Sequence, residues 1–297
     1  MSAFADRLIE AVRNKDTPLC VGLDPFVDKI PTLFGDARQD SSVVLKFCGA
    51  IIEQTAKHAA VIKPQLGLFE QFGAEGYAIA RILTEHARNA GALVILDAKR
   101  GDIGTTAEGY ARASLGAAPG FGADCVTVNA YMGLDTLEPF LALAEQESKG
   151  VAVLVRTSNP GAGDVQDLQV GGAPVWQRLA EMLSPLQARL RGASGWSGLM
   201  AVAGATYPEE ARTLRQSLPH ALFLVPGYGA QGASADDAVA GFVRSAKGLE
   251  GGVVNSSRAV TYPQAAQAAK TMNEWRAAIG EAMSAAAAEL RAACARS

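Results

Sequence analysis

The chain has only four cysteines in 297 residues, Cys20, Cys48, Cys125 and Cys294, with no Cys-x-x-Cys pair among them. Only His58, His86 and His220 could join them as metal ligands. Zinc needs clustered donors, so all four cysteines read as reduced packing or surface thiols and no metal site is expected. No stretch offers 18 consecutive apolar residues, which excludes a membrane-spanning helix and points to a cytoplasmic location. The first residues lack a charged segment followed by an apolar one, and read instead as an amphipathic helix with Phe4, Leu8, Ile9 and Val12 on one face. Runs of like charge are missing as well. Lys plus Arg total 27 against 30 Asp plus Glu, a net charge of -3 and a pI near 5.7, so a nucleic-acid partner is not expected. No Gly-x-Gly-x-x-Gly follows the first strand-like run, which argues against a dinucleotide site on a doubly wound sheet.

What the chain does have is a hydrophobic content of 49 percent with 31 Gly and 13 Pro, the composition of a compact fold with many short turns. Strand-like and helix-like segments alternate along its length. The apolar runs are Pro18 to Leu23, Ala60 to Lys63, Ala92 to Leu96, Asp124 to Val128, Val151 to Val155, Gly198 to Ala203, Ala221 to Val225 and Gly252 to Asn255. Helical patterns follow at Val43 to Ala59, Tyr77 to Asn89, from Thr105 or Thr106 as cap, from Asp135, Val175 to Leu190, Pro208 to Ser217 and from Ser234 or Ala235. An Ala-rich helix from Pro263 to Ala293 closes the series. Eight such units with no linker predict an α/β fold, one (β/α)8 barrel domain over residues 1–297, with an N-terminal helix and a long C-terminal helix.

Charge collects where these strands end. Ala92 to Leu96 runs into Asp97, Lys99, Arg100 and Asp102, and alternation along a strand turns Asp97 and Lys99 to the same side. Lys63 ends the second strand and Asp24 follows the first. Charged groups at the end of a core strand need partners, either as structural ion pairs or as a working site. The Gly-rich stretch from Asn159 to Gly172 is long enough to be a lid or binding loop. The last two strands lead into Gly227, Gly229, Gln231 and Gly232, and into Ser257 and Arg258, the loops that often hold phosphate in such barrels. Glycine lets backbone amides approach an anion, and arginine adds a planar fork of donors. Asn129 and Tyr131, after the fourth strand, face the same end and are further candidates. His58, His86, Trp176, Trp196 and Trp275 read as packing or surface residues.

The segment Asp97-Ala98-Lys99-Arg100-Gly101-Asp102-Ile103-Gly104-Thr105-Thr106 resembles the Asp-x-Lys-x-x-Asp signature of orotidine 5'-phosphate decarboxylases, in their longer bacterial form. The likeness extends from Asp24 to Arg258. It implies a cofactor-independent decarboxylation of orotidine 5'-monophosphate in pyrimidine biosynthesis, with Lys63, Asp97, Lys99 and Asp102 as the charge array and Lys99 as proton donor. It also implies a homodimer in which Asp102, Ile103 and Thr106 serve the neighbouring subunit's site. Asp24 would meet the ribose and Ser158 the pyrimidine. Gln231, Arg258 and the Ser257 amide would grip the 5'-phosphate, and the loop from Pro226 to Gly232, with Pro226 among the substrate contacts, would close over the ring. One local departure is Ser257, where that family often has glycine. A magnesium-dependent sugar-phosphate enzyme on the same barrel would carry an acidic ligand at the end of strand two, where this chain has Lys63. A Schiff-base aldolase would need a lysine of lowered pKa, which two flanking aspartates oppose.

Overall fold

The computed structural model describes residues 2–229 and 231–296, and in it the eight predicted strands close into one parallel barrel. They are β1 (Leu19–Leu23), β2 (Val61–Pro64), β3 (Leu93–Arg100), β4 (Cys125–Val128), β5 (Gly150–Arg156), β6 (Ser197–Ala203), β7 (Ala221–Val225) and β8 (Gly252–Ser256). Each pairs with its neighbour in sequence, and β8 returns to β1 with Leu19 opposite Val254 and Cys20 opposite Asn255. Around them lie α1 (Phe4–Lys15), α2 (Ser42–Thr55), α3 (Gly73–Asn89), α4 (Gly104–Leu115), α5 (Glu138–Glu147), α6 (Val175–Leu183), α7 (Pro208–Ser217) and α8 (Met272–Arg296).

Alternation along each strand divides the core in two. Val21, Ile62, Val94, Val126, Val153 and Val254 point outward against the helices. Cys20, Val61, Ile95, Cys125, Ala152, Met200, Leu222 and Val253, one from each strand, fill the interior. Below them α1 forms the floor, its Phe4, Leu8 and Ile9 buried in the same cluster. The floor depends on missing side chains, since a Cβ on Gly150 would stand 2.4 Å from the Phe4 ring. Two residues further along the strands the interior becomes polar on one side.

Several element boundaries differ from expectation for local reasons. The third strand continues past Leu96 to Arg100, with a register irregularity against β4. Neither Thr105 nor Thr106 caps α4; Ile103 occupies the cap position without a side-chain bond, and both threonines are exposed in the first turn. The segment after β7 forms one turn, Ala235–Ala238, closed by a Ser234–Asp237 capping box, and then a hairpin of Val243–Ser245 with Gly248–Glu250. The C-terminal helix is broken: Gln264–Ala268 is separate, and α8 starts afresh where Glu274 accepts from the Lys270 and Thr271 amides. Within 159–172 the chain has two short helical turns, and Gln169–Val170 pairs with Ala173–Pro174, so this loop is more ordered than its composition suggests. No helix is long and apolar enough to cross a membrane among the described residues.

Because Phe4 is buried at the barrel floor with no slack around it, Phe4→Ala should lower stability by about 3–5 kcal/mol in urea unfolding. An unchanged midpoint would mean that α1 contributes nothing to the core.

Candidate active site

The polar side of the barrel interior opens into a cavity of about 420 Å3 at the C-terminal strand ends. Asp24, Lys63, Asp97, Lys99, Ser158, Pro226, Gln231, Ser257 and Arg258 all line it. Its centre is the Asp97 carboxylate, 7% exposed. Lys63 Nζ on β2 donates to Oδ2 at 2.7 Å and Lys99 Nζ to Oδ1 at 2.6 Å. Gln65 Nε2 donates to Oδ2 at 3.1 Å, and the Thr127 hydroxyl on β4 donates to Oδ1 at 2.9 Å. Burial pushes the Asp97 carboxyl upward, but the charges of Lys63 and Lys99 outweigh it and hold the group well below the usual carboxylate range. Lys63, itself buried, is drawn down by desolvation and raised above its ordinary value by Asp97 and Asp24. Asp97 and Lys63 are therefore both ionised at neutral pH.

The geometry at Lys99 is not that of a regular strand. Its φ is +48°, a left-handed conformation uncommon for any side-chain-bearing residue. The Lys99 amide, turned out of the ladder, donates to Thr127 Oγ1 at 2.9 Å, so Thr127 fixes both the backbone and the carboxylate partner of the same lysine. Lys99 is the accessible member of the trio, its side chain 45% exposed against 5% for Lys63.

Around this floor the cavity is two-sided. Leu154, Val202 and Leu224, inward residues of β5, β6 and β7, form an apolar wall, while Gln65, Thr127 and Asn255 add polar groups opposite. Asp24 Oδ1 is buried with no hydrogen-bond partner among the described residues, an acceptor left open toward the cavity. Gly22 makes room for the last loop, because a Cβ there would lie 1.9 Å from Ser257 Oγ. Arg156, buried at the end of β5, pairs with Glu210, reaches Asp167 at 3.2 Å and stacks 3.8 Å from the Tyr207 ring, tying down the base of the 159–172 loop. Ala230, inside the loop from Pro226 to Gly232, lies outside the described residues.

Three predicted residues are not in this cavity. Asp102 accepts from the Ile103 amide at 2.8 Å, Ile103 is 60% exposed, and Thr106 stands on the surface of α4. Asn129 and Tyr131 do not line it either: Asn129 accepts from the Tyr131 amide, and the Tyr131 side chain is 85% exposed. Gln65, Thr127 and Asn255 were not among the predicted site residues. The available signal was a lone polar residue at an inward-facing strand position.

A sequence model of the orotidine 5'-phosphate decarboxylase / HUMPS family matches residues 17–272. The chain belongs to this family. Among curated orotidine 5'-phosphate decarboxylases, that of Rhodopirellula baltica is 42% identical across 88% of this chain and 89% of its own length. That of Cupriavidus taiwanensis is 44% identical, covering 87% and 89%. The crystal structure of a putative orotidine-monophosphate decarboxylase from Toxoplasma gondii superposes with a TM-score of 0.83 at 31% identity, covering 98% and 97% of the two chains. The Asp-x-Lys-x-x-Asp stretch of this orotidine 5'-phosphate decarboxylase / HUMPS family chain contains two members of the Asp97 trio.

Removing Asp97 strands Lys63 as a buried charge, so Asp97→Asn should cost about 3–5 kcal/mol in chemical denaturation. Adding Lys63→Met should restore much of that loss. Equal stability of Asp97→Asn and the parent would show that the trio carries no structural energy.

Proposed function

We propose that this chain, a carboxy-lyase by its family, converts orotidine 5'-monophosphate to uridine 5'-monophosphate and carbon dioxide, with Lys99 as the proton donor. The observation that carries this reading is the Lys63–Asp97–Lys99 array on the cavity floor, facing the apolar wall of Leu154, Val202 and Leu224. Decarboxylation breaks the bond from C6 to the carboxyl carbon and leaves the electron pair on C6, where no adjacent carbonyl or imine can delocalise it. A fixed ammonium beside C6 stabilises that charge and then supplies the proton. Asp97 keeps Lys99 oriented, and Lys63 balances the buried carboxylate. The open oxygen of Asp24 suits a ribose hydroxyl, and Ser158 suits the ring amide edge. Gln231, Arg258 and the Ser257 amide form the phosphate end, with Pro226 beside the ring.

A second copy of the chain would bring Asp102, Ile103 and Thr106, which stand outside their own cavity, to the neighbouring site. A proton donor alone contributes about 10² to 10⁴ in rate. The larger part comes from preorganised charge and from phosphate binding energy used to close the loops over the ring. Lys63, at the end of β2 and ion-paired with Asp97, repels a divalent cation there, which disfavours the metal-dependent sugar-phosphate branch of the same family.

The parent should remove the orotate chromophore from orotidine 5'-monophosphate in chelator-treated buffer, and Lys99→Ala should do so at least about 10² to 10⁴ times more slowly. Arg258→Ala should lower kcat/KM at least about tenfold, through lost charge-assisted hydrogen bonds to phosphate. No turnover by folded parent, or full activity in Lys99→Ala, would overturn the reading.

A further inference from the structure

A second cavity, of about 600 Å3, lies at the opposite end of the barrel, between the end of α3 and the 116–122 loop that leads into β4. Its charge is out of keeping with a chain of net charge -3. At its base the buried Asp124 receives the Val94 amide at 3.0 Å and is approached by three cations: Arg7 at 3.1 Å, Arg88 at 3.7 Å and Lys149 at 3.9 Å. One carboxylate cannot neutralise three cations. Burial lowers the Lys149 pKa; Asp124 and the nearby Glu147 oppose this, while Arg88 and Arg7 add to it. A fourth cation, Arg81, lines the same space two turns before Arg88 on α3, and its guanidinium makes no ion pair or side-chain hydrogen bond among the described residues. Glu85, the other acid of the lining, is exposed and still leaves an excess of positive charge. Phe121, half-buried in the loop, offers an aromatic surface beside these groups.

We infer that this cavity is a binding site for a phosphate-bearing anion, held by Arg81 and Arg88 with Arg7 behind them, and distinct from the site at the barrel mouth. Guanidinium pairs match phosphate oxygens with forked, charge-assisted hydrogen bonds. The cavity is larger than the one at the mouth, so it admits a nucleotide as well as a bare phosphate chain. The anion would draw Arg88 away from Asp124, whose hydrogen bond to Val94 lies on β3, the strand that carries Asp97 and Lys99.

The test is isothermal titration of the full chain with inorganic pyrophosphate and, separately, with ATP. It compares the parent, Arg258→Ala, and the double variant Arg81→Gln/Arg88→Gln, whose fold is checked by circular dichroism. The expected result is a site that persists in Arg258→Ala and is lost, or weakened at least about tenfold, in the double variant. Equal affinity for both probes identifies the phosphate chain as the group recognised, and tighter ATP binding adds stacking on Phe121. Binding that vanishes in Arg258→Ala, binding unchanged in the folded double variant, or no binding of either probe would overturn the inference. None of these outcomes depends on turnover, so failure here is separate from failure of the decarboxylase reading.

Discussion

One buried carboxylate shared between two ammonium groups sets the requirements for the rest of this structure. Asp97 stands in a position with little water, where a lone charge would be expelled or neutralised. It stays ionised because Lys63 and Lys99 approach it from two sides and because Thr127 and Gln65 take its remaining lone pairs. Those four donors come from β2, from the residue just after it, from β3 and from β4, so only a correctly registered barrel brings them together. The left-handed turn at Lys99 is a further cost that the Thr127 hydroxyl offsets by receiving the freed amide.

The same layer of the barrel explains why the cavity has two characters. Inward positions on β2, β3, β4 and β8 are Lys63, Asp97, Thr127 and Asn255, while those on β5, β6 and β7 are Leu154, Val202 and Leu224. Directly beneath, Cys20 is buried and its thiol is pushed up to about 12, so the layer under the charges stays neutral and gives the array a low-dielectric base.

Much of this was legible in the sequence. Most barrel strands are apolar runs that end in or just before a polar or charged residue, which locates Asp24, Lys63, Asp97 and Lys99 at one mouth; β6 and β7 instead run into Gly204 and Pro226, Arg258 followed from the loop after the last strand, and Ser158 only from the family resemblance. Thr127 was not legible because threonine is an ordinary strand former, and its part in the site arises from a contact to Asp97 on the neighbouring strand and from the local backbone reversal at Lys99. Asn129 and Tyr131 misled because they follow a strand end, yet the chain turns outward there and Asn129 bonds its own loop. The restart of the last helix was written in Thr271-x-x-Glu274 but hidden in a long Ala-rich helical pattern.

The most direct measurement of the central claim is the titration of the Asp97 carboxyl carbon by NMR, assigned by comparison with Asp97→Asn. A carboxyl whose folded pKa is depressed adds stability that is fully present above the ordinary carboxylate range and is lost as pH falls through its own lower value. The account predicts no change in the Asp97 resonance between about pH 5 and about pH 3, with protonation only below that range. A midpoint near the ordinary value of about 3.9 would contradict it, since the two lysines would then not be holding the charge.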